Sequence, residues 1–427
     1  MSPRRPASRP VGFTLLELVV GMVVSAIVIA GAVALFIGQQ RRFNASSSER
    51  GLQETARTAI GEIASSLRMA GFGVDPGLAF DFGFADNIMM SQAPAIGVSV
   101  RVPGYACAGG AVACRDSTTG PDEIVFYARD PAFGHVVQSV TGTSSITLVG
   151  PLDTPLYKGQ VLQVMCMSGT ELNLGGQQGM LWAYVTVGQY VAPNTAAATV
   201  TVPLLAPTGN ALDFPTQNAT LANACFSSIV AGAVVATKVD RYHYYVQAFD
   251  AKGNALARGL PETAGTSTFL MLDQGTVDQG GNPLLTFVAP DVEDLQFWYI
   301  VPAGPVPVIG NTSGTAIAAG PTGIDLAPAT NVPGYMTPLT DPSRQNQHPA
   351  NIRGVQVGLV VRQANADVTV SDTSVPANGN RPAINGLPGY HRLRIETTVP
   401  VPNMDARYPY FPLYSTTTGD GLNVGGG

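Results

Sequence analysis

Residues 12–38 read GFTLLELVVGMVVSAIVIAGAVALFIG, an apolar run that contains one charged residue, Glu17. At ~1.5 Å of helical rise per residue, this run is long enough to cross the ~30 Å hydrocarbon core of a bilayer. The residues before it are basic, contain no acid and include three prolines, which favours a targeting leader over a packed element. The sequence therefore predicts a leader at residues 1–12 and a transmembrane helix at residues 13–38.

Glu17 is the feature that neither a secretory signal peptide nor an ordinary membrane anchor explains. A carboxylate in an apolar span costs on the order of 2.5–3.5 kcal/mol even on the lenient insertion scale, so such residues usually have a partner and a function. A signal peptide would also have a shorter apolar core that ends in a small-x-small cleavage site. We therefore predict that Glu17 pairs with a cation.

An amphipathic continuation of the helix is predicted for residues 39–72. Small and apolar residues recur there three or four positions apart, which is the spacing of one helix face. This stripe is expected to pack against a globular core, and the helix is expected to end near Gly71 and Gly73, before Pro76. The stripe consists of Leu52, Ala56, Ile60, Ile63, Leu67 and Ala70.

Residues 73–413 lack the helical period and predict a β-rich globular head, because short Val-, Thr- and Tyr-containing runs alternate with Gly and Pro turns. The predicted fold class is therefore α+β, a long N-terminal helix packed on a β-rich domain. Within the head, residues 302–350 are dense in Gly and Pro and predict a long surface insertion, and residues 414–427 predict a flexible tail. Strands are predicted at residues 123–128, 161–167, 181–187, 199–204, 242–247, 268–272, 295–301, 355–361 and 393–401.

Composition argues against nucleic-acid binding and catalysis. The formal net charge is −6, so no basic field favours a polyanion. No catalytic motif and no phosphate-binding glycine loop occurs, so we predict neither enzymatic activity nor a cofactor. The histidines are scattered along the chain, at His135, His243, His348 and His391.

Two groups of polar residues in the head have alternative interpretations. His243 lies in the tyrosine-rich run RYHYY, where a packing or surface role is favoured over a ligand role. Asp273 and Asp278 flank Gly275 in DQGTVDQGGN and could bind calcium. Their spacing departs from the EF-hand pattern, so a solvated turn is the favoured interpretation.

Four cysteines occur, and none has the spacing of a metal ligand. An even number of cysteines in a chain that leaves the cytoplasm indicates disulfides. Cys107 and Cys114 would close the short loop CAGGAVAC, and Cys166 and Cys225 would join two predicted strand regions. Buried free thiols are the alternative.

The motif Gly12-Phe13-Thr14-Leu15-Leu16-Glu17-Leu18 lies between the basic leader and the apolar helix, and there it resembles the prepilin motif of type IV pilins and type II secretion pseudopilins. The resemblance implies that an inner-membrane prepilin peptidase cuts after Gly12 and methylates the new amino terminus at Phe13. It also implies that Glu17 docks the subunit in a filament. A free α-amine is largely protonated near neutral pH, so the Phe13 ammonium of a neighbouring subunit is the expected partner of Glu17.

Four further segments resemble, in their order along the chain, the PilW family of minor pilins: residues 66–72 (SLRMAGF), 292–299 (VEDLQFWY), 352–362 (IRGVQVGLVVR) and 390–399 (YHRLRIETTV). The resemblance implies a minor pilin that helps to initiate or cap a type IV pilus. Its implied partners are other major and minor pilins, the inner-membrane assembly platform and a large tip adhesin.

The same resemblance implies a location for the chain before and after assembly. Before assembly, the protein would span the bacterial inner membrane once, with its head in the periplasm. After assembly, it would lie in the pilus at the cell surface. The alternatives are a J-type minor pseudopilin of a type II secretion system and a pilus-tip adhesin that binds its ligand through the insertion.

Overall fold

The chain forms two compact units, Met1–Gln53 and Glu54–Gly427. The computed structural model describes residues 14–74, 79–81, 120–166, 181–205, 226, 234–256, 266–300, 323–324, 352–367, 370–379, 381–405, 413–414 and 421–422.

Helix α1 is a single helix of 53 residues, Leu15–Leu67. No proline interrupts it, so the apolar and amphipathic halves predicted from the sequence form one continuous element. In the second unit, its buried residues recur three or four positions apart and confirm the predicted stripe, although Ile60 is only half-buried. These buried residues are Ala56, Ala59, Ile63, Ser66 and Leu67.

The α-helix ends at Leu67, earlier than the end predicted near Gly71 and Gly73. The next residues form tighter turns, because the Met69 N–H donates to the carbonyl of Ser66, three residues before it, at 2.9 Å. Gly71 then adopts a left-handed φ of 76°, which glycine reaches without steric cost. The tighter turns that end the helix therefore begin before Gly71 and Gly73.

The second unit is β-rich, and the fold is α+β. Its short helix α2 is Pro402–Asp405. The strands are β1 Phe80–Asp81, β2 Ile124–Thr141, β3 Ser145–Val149, β4 Val161–Cys166, β5 Leu181–Thr186, β6 Thr199–Pro203, β7 Val234–Phe249, β8 Ser267–Val277, β9 Pro283–Pro290, β10 Val292–Ile300, β11 Gly323–Ile324, β12 Gly354–Arg362, β13 Ser374–Val375, β14 Ile384–Asn385, β15 Arg392–Pro400, β16 Leu413–Tyr414 and β17 Gly421–Leu422.

Two large antiparallel sheets organise the described part of this unit. The first has nine strands, with the path β5-β4-β7-β2-β3-β6 and with β1, β8 and β9 paired beside it. The second has four strands in the order β11-β10-β12-β15. The segments 292–299, 352–362 and 390–399 thus contribute three neighbouring strands of one sheet.

All nine predicted strands are confirmed, but β2 and β7 are much longer than predicted. In β2, Pro131 and Gly134 read as turn residues in the sequence. The register of β2 against β7 shifts between Arg129 and Gly134, and this irregularity carries the strand past them. Strands β3 and β9 and the six two-residue strands were not predicted. The insertion at residues 302–350 and the tail at 414–427 lie outside the described residues, apart from β11, Tyr414 and β17.

The two faces of β7 have different surroundings. Tyr244 lies on the face that meets α1, where its hydroxyl is 2.9 Å from the hydroxyl of Ser66. Phe126 of β2 stacks on Tyr242 of the same face, with ring centroids 5.0 Å apart. Because successive strand residues point to opposite faces, Arg241 and His243 lie on the other face.

Candidate functional site

The start of α1 holds Glu17 in a reciprocal set of hydrogen bonds with Thr14. The backbone N–H and the hydroxyl of Thr14 donate to Glu17 Oε2, at 3.0 and 2.9 Å. In return, the backbone N–H of Glu17 donates to Thr14 Oγ1 at 3.3 Å. This is a capping box, which satisfies backbone donors that a helix start otherwise leaves unpaired.

The capping box lowers the cost of placing the Glu17 carboxylate in an apolar span but does not neutralise its charge. Two donors from its own chain reduce the cost of placing this carboxylate in an apolar span, but neither donor carries a charge. The negative charge of Glu17 therefore still favours a cationic partner. The sequence signal for the box is the Thr14-x-x-Glu17 spacing. Gly12 and Phe13 lie outside the described residues.

The apolar half of α1 is uncovered in the isolated chain. Among the described residues, Leu15–Gln40 is the one helical stretch that is long and apolar enough to cross a membrane, and none of it is buried. Large side chains such as Leu35 and Phe36 are about two-thirds exposed, at 70% and 67%. An exposed apolar surface of this extent marks a membrane or protein interaction site, and this helix is compatible with a membrane anchor.

A second site, which the sequence analysis missed, is a buried charged cluster on the face of β7 that lies opposite α1. His243 Nε2 is 2.8 Å from Glu123 Oε2, at the entry to β2. Arg241 Nη1 is 3.3 Å from Asp273 Oδ2 on β8, and Arg241 Nη2 is 3.2 Å from His243 Nδ1. All four side chains are buried, so their charges interact with little screening by water.

The donors in this cluster fix the protonation of His243. A guanidinium group can only donate, so Arg241 donates to His243 Nδ1, and that nitrogen carries no proton. The proton of the neutral ring is therefore on Nε2, which donates to Glu123. Asp273 Oδ2 is 3.7 Å from His243 Nδ1, too far for a hydrogen bond.

The pKa values agree with a neutral imidazole between charged neighbours. Burial lowers the pKa of His243 and outweighs the opposing effects of Glu123 and Asp273. Burial acts to raise the pKa of Asp273, but the guanidinium of Arg241 and the backbone N–H of Gly275 outweigh it and hold this pKa below its usual range. Acid therefore destabilises the folded state through both groups, since each binds protons more readily when it is unfolded.

The solvated turn predicted for Asp273 and Asp278 is wrong for Asp273. Asp273 is a buried member of the charged cluster, because its register on β8 places it opposite His243. Asp278 is half-buried and lies in a turn as predicted, where it accepts the backbone N–H of Asn282 at 2.8 Å within the hairpin that joins β8 and β9. The two carboxylates therefore have separate local partners.

Cys166, at the end of β4, is buried and disulfide-bonded. Its partner is one of Cys107, Cys114 and Cys225, all of which lie outside the described residues. Phe226, the residue after Cys225, belongs to the same hydrophobic cluster as Cys166, which agrees with the predicted bond between these two cysteines. Both pairings stay predictions.

Comparison of the chain with protein-family models, curated proteins and solved structures gives no match.

Proposed function

We propose that this protein is a minor pilin of a type IV pilus, a structural subunit that helps to initiate or cap the filament. The observation that carries the proposal is the position of Glu17, a single carboxylate at the start of an apolar helix that is wholly exposed. Helix α1 continues without a break from the apolar stretch to Leu67. This continuity supports the proposal further, because a filament subunit needs one element that belongs to both the filament core and the globular head.

In the proposed mechanism, the prepilin peptidase cuts after Gly12 and leaves a methylated ammonium group at Phe13. That ammonium meets Glu17 of a neighbouring subunit in the filament core, where the low dielectric strengthens an ion pair. Until then, Thr14 supplies two hydrogen bonds to the same carboxylate. Docking therefore adds the counter-charge that the capping box lacks.

The location of the protein in cells tests the proposal. A chain with an epitope tag in the head should be recovered with the other pilins when surface filaments are sheared from the cells, and the remainder should be in the inner-membrane fraction. A chain that stays in the membrane fraction, and whose deletion blocks protein export but not piliation, would contradict the pilus assignment. That result would support the J-type pseudopilin instead.

A further inference from the structure

A strap of residues 363–391 joins the neighbouring strands β12 and β15 of the four-stranded sheet. Its middle forms the short β13–β14 ladder. At its tip, formed by Asn378, Gly379 and Arg381, Asn378 and Arg381 exchange two backbone hydrogen bonds of 3.0 Å. The tip contacts β10, on the far side of β12 from β15, so the strap crosses the sheet.

The tip docks on one buried carboxylate of β10. Asn378 Nδ2 donates to Asp294 Oδ2 at 2.8 Å, and Arg381 Nε lies 3.0 Å from the same oxygen. Gln296 Nε2 donates to Asp294 Oδ1 at 3.2 Å. Asp294 and Asn378 are fully buried, and Arg381 is 2% exposed. The guanidinium of Arg381 therefore occupies a closed socket beside a carboxylate.

Two glycines, Gly379 of the tip and Gly358 of β12, allow the tip to pack closely on the sheet. Gly379 has a φ of 64°, and a Cβ atom there would lie 2.7 Å from Cζ2 of Trp298. A Cβ atom at Gly358, on β12, would overlap the side-chain oxygen of Asn378. The absence of side chains at both positions lets the tip approach the sheet closely. The docked position of the tip therefore depends on both glycines.

Apolar packing contributes little to the docking of the strap. Among its described residues, Val375 is the one buried apolar side chain. Part of that burial is internal, because a Cβ atom at Gly386 of the strap would be only 2.5 Å from Val375 Cγ2. Two-stranded ladders of this size are also marginal alone.

The polar contacts of the tip are a weak source of net stability. Burial raises the pKa of Asp294 to about 6 even though Arg381 opposes the shift, so the charged carboxylate makes docking costly at neutral pH. Gln296 Oε1 and Asn378 Oδ1 are buried without a hydrogen-bond partner in the described part of the chain. A buried polar network that is only partly satisfied adds little net stability.

We propose that the strap is a latched element that undocks from the sheet as a unit, with Arg381 in the Asp294 socket as its latch. The ladder of β10, β12 and β15 persists when the strap opens, because its backbone pairs do not involve the tip. Arg392 holds the base of the strap, because it donates to the carbonyl of Leu387 at 2.8 Å and to Glu293 of β10 at 2.6 and 3.0 Å. Opening uncovers Asp294 and Trp298, which lie on the same face of β10.

Hydrogen exchange measured by mass spectrometry on the full chain in detergent tests this proposal. Arg381→Ala should accelerate exchange in strap peptides by at least about tenfold and leave β12 and β15 unchanged, because only the latch is lost. Gly379→Ala should act in the same direction, since its Cβ atom meets Trp298. The matched control is Arg394→Ala, which removes an exposed arginine of β15 and should change neither region.

Two further readouts test the chemistry of the latch. With Trp182→Phe, Trp298 is the remaining tryptophan, and its quenching by acrylamide should increase when Arg381 is replaced. Ethylguanidinium should restore slow strap exchange to Arg381→Ala, whereas ethylammonium should not, because a guanidinium reaches both Asp294 Oδ2 and the carbonyl of Pro376 and an ammonium is a compact point charge. Unchanged strap exchange in Arg381→Ala, joint acceleration of the strap and β12, or no effect of ethylguanidinium would each overturn the proposal.

Discussion

Replacing Glu17 with Gln is expected to abolish incorporation of the subunit into filaments while the protein stays in the membrane. The amide oxygen of Gln can still accept the two hydrogen bonds from Thr14, so the helix start is preserved. Only the negative charge is lost, and its loss makes the apolar span easier to insert. Failure to assemble would therefore be due to the missing partner of the Phe13 ammonium.

Fractionation of cells that carry each variant measures this effect. The subunit should be absent from sheared filaments of the Gln variant and present at the wild-type level in its membranes. Thr14→Val is the matched control, because it removes the hydroxyl of the capping box and leaves the carboxylate charged. It should assemble better than the Gln variant. Normal incorporation of Glu17→Gln would show that Glu17 is not the docking group.

Arg241→Met is expected to lower the free energy of unfolding of the head by about 3–5 kcal/mol, the cost of leaving buried charges without their partner. Arg241 is the cation that faces Asp273, at 3.3 Å, and it also donates to His243 Nδ1. Met preserves much of the volume of the side chain and removes the charge. Urea unfolding of the full chain in detergent, followed by the far-UV signal of the strands, measures the difference.

The pH dependence of this variant gives a sharper test. Without Arg241, His243 Nδ1 can bind a proton, so an imidazolium ion replaces the lost cation between Glu123 and Asp273. The destabilisation should therefore be smaller at pH 5.5 than at pH 8, although the wild type itself loses stability as the pH falls below the unfolded-state pKa of His, ~6.5. Arg394→Met, at an exposed position, should cost little at either pH. Equal losses in the two variants would contradict the role of the cluster.

The local features of the fold were predictable, because they depend on residues close together in sequence. The apolar run, the stripe on α1 and the alternating strands each carry their own periodicity. The capping box at Thr14 and Glu17 was equally readable from its spacing. The continuation of β2 past Pro131 was not predictable from the sequence, because pairing with β7 overrides the turn preference of a proline.

The buried cluster depends on contacts between distant parts of the chain. Arg241 and His243 are two residues apart on one strand, which indicates that they share a face. Their partners are Glu123, the residue before β2, and Asp273 of β8, and those pairings require a strand register that the sequence pattern leaves open. The strap has the same property, because Asp294 and Arg381 become partners only when the tip crosses β12.

The mass of the N-terminal peptide of the protein isolated from sheared filaments tests the central claim most directly. We expect a chain that begins at Phe13, carries an N-methyl group and lacks residues 1–12. The basic leader, the cut site and Glu17 together lead to this expectation. A filament-associated chain that retains residues 1–12 would contradict the account.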